Sequence, residues 1–148
     1  MRGYFGIGIY QTKTEVNVGT LYRSAYLMGA SFIFTIGKRY KRQASDTPNA
    51  MKHIPLFEYL DFNEFKNNTP KDCKIICIEL DNKAIDLTEF KHPERCIYLL
   101  GAEDNGIPEA IYKNYDTIKI PTLKPQSMNV SVAGSIVMYD RYLKGVIK

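Results

Sequence analysis

The chain is poor in the residues that build metal and disulfide sites. It has three cysteines and two histidines in 148 residues. Cys73, Cys77 and Cys96 are odd in number and lack zinc-type spacing. That pattern predicts reduced core thiols and a cytoplasmic protein. His53 and His92 stand alone in the sequence, so no His-based metal site is expected. Long hydrophobic runs are missing too, and nothing reaches the ~20 residues of a membrane span. The apolar segment Tyr4–Tyr10 runs into Gln11-Thr12-Lys13 without a small-residue cleavage pattern, and it reads as a strand rather than a signal peptide. Common nucleotide and hydrolase fingerprints are absent. Gly6-Ile7-Gly8 lacks the third glycine of a dinucleotide-binding turn, and there is no Gly-Lys-Ser/Thr and no Gly-x-Ser-x-Gly. Internal repeats, low-complexity tracts and linkers are also missing, so residues 1–148 are expected to form one domain.

What is present is an ordinary globular composition, 45% hydrophobic and 24% charged. The net charge of +4 is too mild to identify a partner, but its distribution is uneven. Lys38-Arg39-Tyr40-Lys41-Arg42 sets four cations around one aromatic, directly after a predicted strand. It reads either as a solvated loop or as a phosphate-binding patch.

Strand and helix patterns alternate. Tyr4–Tyr10 and Ser31–Ile36 read as strands around a helix from Val16 to Met28. In that helix Val18, Leu21, Ala25 and Met28 share a face, and Gly29 fits the position after the C-cap. A helical turn is expected at Pro48–Lys52 and a short strand at Pro55–Tyr59. Asp61 is expected to cap a helix over Phe62–Lys66, and Asn67–Pro70 is a break. Lys74–Leu80 and Arg95–Leu100 are continuous apolar strands, as sheets covered on both faces require. Pro108 opens a helix to Tyr115, Thr117–Ile120 is the last strand, and Asn129–Leu143 the last helix. The alternation predicts an α/β fold, a mostly parallel sheet with helices on both faces.

Three loops carry polar groups at strand ends or helix starts, where α/β folds bind ligands. The first is Asn17-Val18-Gly19-Thr20-Leu21-Tyr22-Arg23. Asn17 is expected to cap its helix, Gly19 allows close approach, and Arg23 points away from the apolar face. The second is Gly101-Ala102-Glu103-Asp104-Asn105-Gly106, whose glycines permit a tight turn with amides facing a ligand. The third is Ile118-Lys119-Ile120-Pro121, a short loop, then Ser127-Met128-Asn129-Val130-Ser131. Taken singly, each also reads as ordinary capping or loop chemistry.

Together and in this order, Asn-x-Gly-x-x-x-Arg, Gly-x-Glu-x-x-Gly and Ile-x-Ile-Pro…Ser-Met-Asn-Val-Ser resemble the SpoU/TrmH class of SPOUT RNA ribose 2′-O-methyltransferases. The resemblance runs from about Ile7 to Tyr142, and the length is that of the minimal members. Met128 stands where many members have Leu, a volume-conserving change. The resemblance implies a C-terminal deep trefoil knot, a rare exception to unknotted chain paths. It also implies a pocket for S-adenosylmethionine lined by Leu80, Gly101, Ile120 and Ser127, with Met128 closing over it, and a homodimer with the active site near its interface. No metal is implied. Arg23 would bind the phosphate beside the target ribose and stabilise the forming alkoxide, since a free guanidinium rarely gives up its proton. Asn17, Glu103, Ser127 and Asn129 would orient Arg23, substrate and cofactor. Lys38, Arg39, Lys41 and Arg42 would grip RNA. A tRNA loop nucleotide is the expected substrate. Ribosomal RNA, a base nitrogen as acceptor, and a non-catalytic RNA-binding role are the alternatives.

Overall fold

The computed structural model describes residues 3–37 and 53–146. The basic run Lys38, Arg39, Lys41, Arg42 and the turn expected at Pro48–Lys52 lie outside these residues. The described chain forms seven strands: β1 (Tyr4–Tyr10), β2 (Phe32–Ile36), β3 (Leu56–Tyr59), β4 (Lys74–Ile78), β5 (Ile85–Asp86), β6 (Arg95–Gly101) and β7 (Asp116–Lys119). Its helices are α1 (Glu15–Leu27), α2 (Phe62–Asn68), α3 (Glu109–Tyr112) and α4 (Val130–Val146). The sheet order is β3-β2-β1-β6-β4-β7-β5, and every pairing is parallel.

Alternate residues of each central strand feed two cores, because side chains alternate across a sheet. On one face Ile7, Ile9, Tyr98 and Leu100 pack with Val18, Leu21, Tyr22 and Ala25 of α1 and Val130, Ala133, Val137 and Met138 of α4. On the other, Phe32, Phe34, Ile97 and Leu99 pack with Phe65 of α2 and Ile107. Gly6 and Gly8 find their purpose here. A Cβ on either would fall within 2.3–2.5 Å of Phe32 or Phe34, so these glycines leave room for two aromatic rings.

Several boundaries differ from the sequence reading, each for a local reason. The first helix starts at Glu15, and Thr14, in extended conformation, accepts the Asn17 N–H. Asn17 therefore does not cap it. The strand expected to run to Leu80 stops at Ile78, where Glu79 and Leu80 turn into a cavity. The helix opened by Pro108 spans only Glu109–Tyr112. The two-residue β5 and the 3-10 turn at Leu87–Glu89 carry no periodic signal and were not expected.

The last helix decides the shape of the site. Gly134 sits where a Cβ would lie 2.6 Å from Leu21 Cδ1 and 3.0 Å from Leu100 Cδ1, so α4 can settle closely on α1 and the sheet. Ser135 Oγ donates to Ser24 Oγ across the helix pair at 2.9 Å. Further along, Asp140 accepts from His92 Nε2 at 2.7 Å and pairs with Lys144 at 2.8 Å, while Arg141 donates to the Pro93 and Glu94 carbonyls.

Candidate active site

Between the ends of β4, β6 and β7 and the start of α4 lies a cavity of about 300 Å³, at the small end of the ~300–1,000 Å³ range of ligand sites. Leu80, Gly101, Ile120, Ser127 and Met128 all line it, as do Glu79, Glu103 and Ala133. Three segments far apart in sequence thus make one wall set, as expected at the carboxyl ends of parallel strands. Ile120 and Met128 also pack against the α1/α4 core, which ties the cavity floor to the fold.

The turn after β6 is built for close backbone approach. Gly106 has φ +63°, and its N–H closes onto the Ala102 carbonyl at 2.9 Å. A Cβ on Gly101 would fall 2.4 Å from the Gly106 carbonyl carbon and 2.5 Å from the Ile107 nitrogen. Any side chain at Gly101 would therefore distort the turn that walls the cavity.

Beside the cavity the three motifs meet through side chains. Asn17 Nδ2 donates to Glu103 Oε1 at 2.8 Å. Asn129 Nδ2 donates to the same oxygen at 2.9 Å and to Asn17 Oδ1 at 3.0 Å. The other end of the Asn129 amide caps α4, with Oδ1 accepting the Ser131 and Val132 N–H groups at 3.0 and 3.3 Å and the Ser131 hydroxyl at 2.5 Å. Asn129, not Ser127, is the cap. Ser127 remains exposed on the cavity wall. Lys13 pairs with Asp104 at 2.5 Å and clips the loop before α1 to the turn after β6.

Arg23 does not join this cluster. It is exposed on α1, roughly 9 Å along the helix from Asn17 and about 120° around it. It shares an outward stripe with Val16, Thr20 and Leu27, and Thr20 edges an apolar groove along α4.

Sequence reasoning missed Glu79. Its carboxylate accepts the Ile107 N–H at 2.8 Å and lies against Gly106, bracing the turn from beneath. Burial pushes its carboxyl above the usual range, and backbone N–H groups of Ile107 and Leu80 pull it partly back. The only sequence signal was a single acid closing an apolar strand. Among the described residues, no three His, Cys, Asp or Glu side chains gather as a metal site would require.

Residues 5–139 match the family model described as the SpoU rRNA Methylase family. The chain belongs to that family. It is therefore a methyltransferase by descent. It is similar to a tRNA (cytidine(34)-2′-O)-methyltransferase of Beijerinckia indica, with 25% identity over 140 residues, covering 89% of this chain and 86% of that one. A solved structure concerned with 2-OH methylation of C/U34 on tRNA superposes with a TM-score of 0.89 at 23% identity over the whole of both chains. The SpoU methyltransferase AviRb of Streptomyces viridochromogenes, solved with the cofactor AdoMet, gives a TM-score of 0.83 at 18% identity, over 99% of this chain and 59% of that one. The family's fold is thus matched along the full chain.

Proposed function

We propose that this chain, as a single domain spanning residues 1–148, transfers a methyl group from S-adenosylmethionine to a ribose 2′-hydroxyl of tRNA. The observation that carries this reading is the meeting of Asn17, Glu103 and Asn129 beside the Gly101 cavity. The residues fit the cofactor. Gly101 keeps the turn flat against its wall, and Leu80, Ile120 and Met128 offer apolar contact while Ser127 and the backbone offer hydrogen bonds. When bound, S-adenosylmethionine supplies an electrophilic methyl carbon.

The chain's own residues do the rest. The 2′-oxygen must be held in line with the methyl group and its developing charge stabilised as its proton passes to solvent. Glu103, fixed by two amide donors, and Ser127 orient cofactor and ribose. Arg23 binds the adjacent phosphate and stabilises the forming alkoxide; its forked, permanently charged donor suits both tasks. The segment through Ser127 and α4 is further read as passing through a loop of the preceding chain, as the trefoil knot that the family resemblance implies.

A homodimer completes the proposal. Val132, Ile136, Tyr139 and Leu143 recur along one face of α4 at helical spacing, and all are exposed. With Pro121 and Thr20 they border a groove of about 710 Å³ whose lining is largely apolar. A second copy covering this face would bring Arg23 beside the interface. Lys38, Arg39, Lys41 and Arg42 of the two copies would form a joint RNA grip. The three free thiols suit the cytoplasm, and among the described residues no helix is long and apolar enough to cross a membrane.

Ribonucleoside mass spectrometry with position mapping, on RNA from a deletion strain, tests the reading. A 2′-O-methylated tRNA nucleotide should vanish and return with the wild-type protein. Arg23→Ala should restore it roughly a hundredfold more slowly, with folding and cofactor affinity kept. Arg23→Lys should rescue poorly. A lost methyl in ribosomal RNA, or on a base, would replace the substrate assignment. Sedimentation of the same protein should show a dimer.

A further inference from the structure

The last turn of α1 carries an aromatic pair with no part in the cavity. The Tyr26 ring stacks on His53, with centroids 4.6 Å apart and planes 23° from parallel. Both side chains reach solvent, and Tyr26 is 43% exposed. The pair is nevertheless held firmly. Tyr22, one turn earlier and fully buried, donates its hydroxyl to the Ile54 carbonyl. Ile54 in turn packs against the α1/α4 core. The residue next to His53 is thus pinned to the helix that carries Tyr26.

An aromatic pair that only fills space would be expected inside one of the two cores. This pair is instead on the surface, on the helix that carries the exposed cation Arg23. Arg23 lies one turn before Tyr26 and is exposed. Exposed π-faces beside basic side chains are the combination that holds single-stranded nucleic acid: the cations meet the phosphates and the rings take the bases. Tyr26 is roughly 14 Å along α1 from Asn17. Arg23, which the proposed function sets on the phosphate beside the target ribose, is only one helical turn from Tyr26, so the pair is within reach of a base next to that ribose.

We propose that Tyr26 and His53 form a stacking platform for an unpaired RNA base flanking the nucleotide that is methylated. The platform rests on the RNA methyltransferase reading above. It adds a site for substrate outside the cofactor cavity and away from the Asn17–Glu103–Asn129 cluster. Because a base offers its face whatever its identity, the platform favours an unstacked loop over duplex without reading sequence.

The test compares wild type, Tyr26→Ala, Tyr26→Phe and His53→Ala on total tRNA from a deletion strain. It uses filter binding, steady-state methylation and calorimetry with S-adenosylmethionine. Tyr26→Ala should raise both Kd and KM for tRNA roughly tenfold, with kcat and cofactor affinity unchanged. Tyr26→Phe, which keeps the ring, should bind as wild type. If Tyr26→Ala does not fold, His53→Ala carries the same expectation, since it removes half of the platform and leaves the Tyr22 anchor. Unchanged tRNA affinity in a folded Tyr26→Ala protein overturns the platform. So does a parallel loss of cofactor affinity and thermal stability, which would mark the pair as packing only. Wild-type protein that binds tRNA but methylates none would overturn the functional reading, while filter binding would still decide the platform.

Discussion

Asn129 serves two structures with the two ends of one amide. Its oxygen caps α4, and its nitrogen joins α4 to Glu103 and Asn17. The roles can be separated, because Ser caps about as well as Asn but has no second donor at that reach. Asn129→Ala should lose about 1 kcal/mol of stability and most of the methyl transfer. Asn129→Ser should keep the stability yet transfer as poorly as the Ala variant. Denaturant melts and single-turnover assays on both proteins check this, and full activity in Asn129→Ser would show that the amide donor is dispensable. Asn17 shows the limit of residue-level reading. Thr14 and Asn17 are both good capping types three residues apart, and local chemistry does not choose between them. Thr14 takes the cap, and the Asn17 amide is then free for Glu103, 86 residues away.

At the scale of elements, the contact of α4 with α1 sets the spacing of that cluster, and Gly134 sets the contact. A Cβ there meets methyl ends of Leu21, Leu100 and Ile7, all in the core. Gly134→Val should therefore cost about 1–3 kcal/mol through overpacking and reduce methyl transfer by moving Asn129 away from Asn17. Gly145, on the same helix, has nothing within 4 Å of an added Cβ. Gly145→Ala should be neutral or slightly stabilising. Thermal melts of the pair check the contrast, and a Gly134→Val protein as stable as Gly145→Ala would remove the close contact at Gly134 as the cause. The strands were legible because a parallel sheet buried on both faces leaves continuous apolar runs. The two-residue β5 was not, because it takes its place from pairing with β7 rather than from its own pattern.

For the molecule as a whole, the buried imidazole of His92 ties α4 to β6. Burial holds the Tyr98 hydroxyl protonated, so it donates to His92 Nδ1 at 2.6 Å. The Nε2–H then donates to Asp140, which also meets Lys144. Burial lowers the His92 pKa, and the hydrogen bond and charge of Asp140 only partly oppose that; Lys144 and Arg141 lower it further. Above ~6.5 the imidazole is neutral in both folded and unfolded chains. As pH falls below that value, the unfolded chain takes up a proton that folded His92 resists, so stability declines. Wild type should therefore lose more stability than His92→Gln between pH 7.5 and 5.5, although the variant starts lower. Melting temperatures across that range test it, and parallel slopes would remove His92 as the cause.

The sequence alone determined the alternating strands and helices, the parallel sheet covered on both faces, and three motifs specific enough to name the family. Those are properties of short windows: periodicity, turn chemistry and local spacing. Only the tertiary structure decided that Asn17, Glu103 and Asn129 share hydrogen bonds, that Glu79 braces the Gly101 turn, that Arg23 stands apart from the cluster in its own chain, and that Tyr26 finds His53. Each of these joins segments tens of residues apart. Such pairings depend on strand order and helix approach, which no local pattern encodes, because many sheet orders bury the same apolar faces equally well.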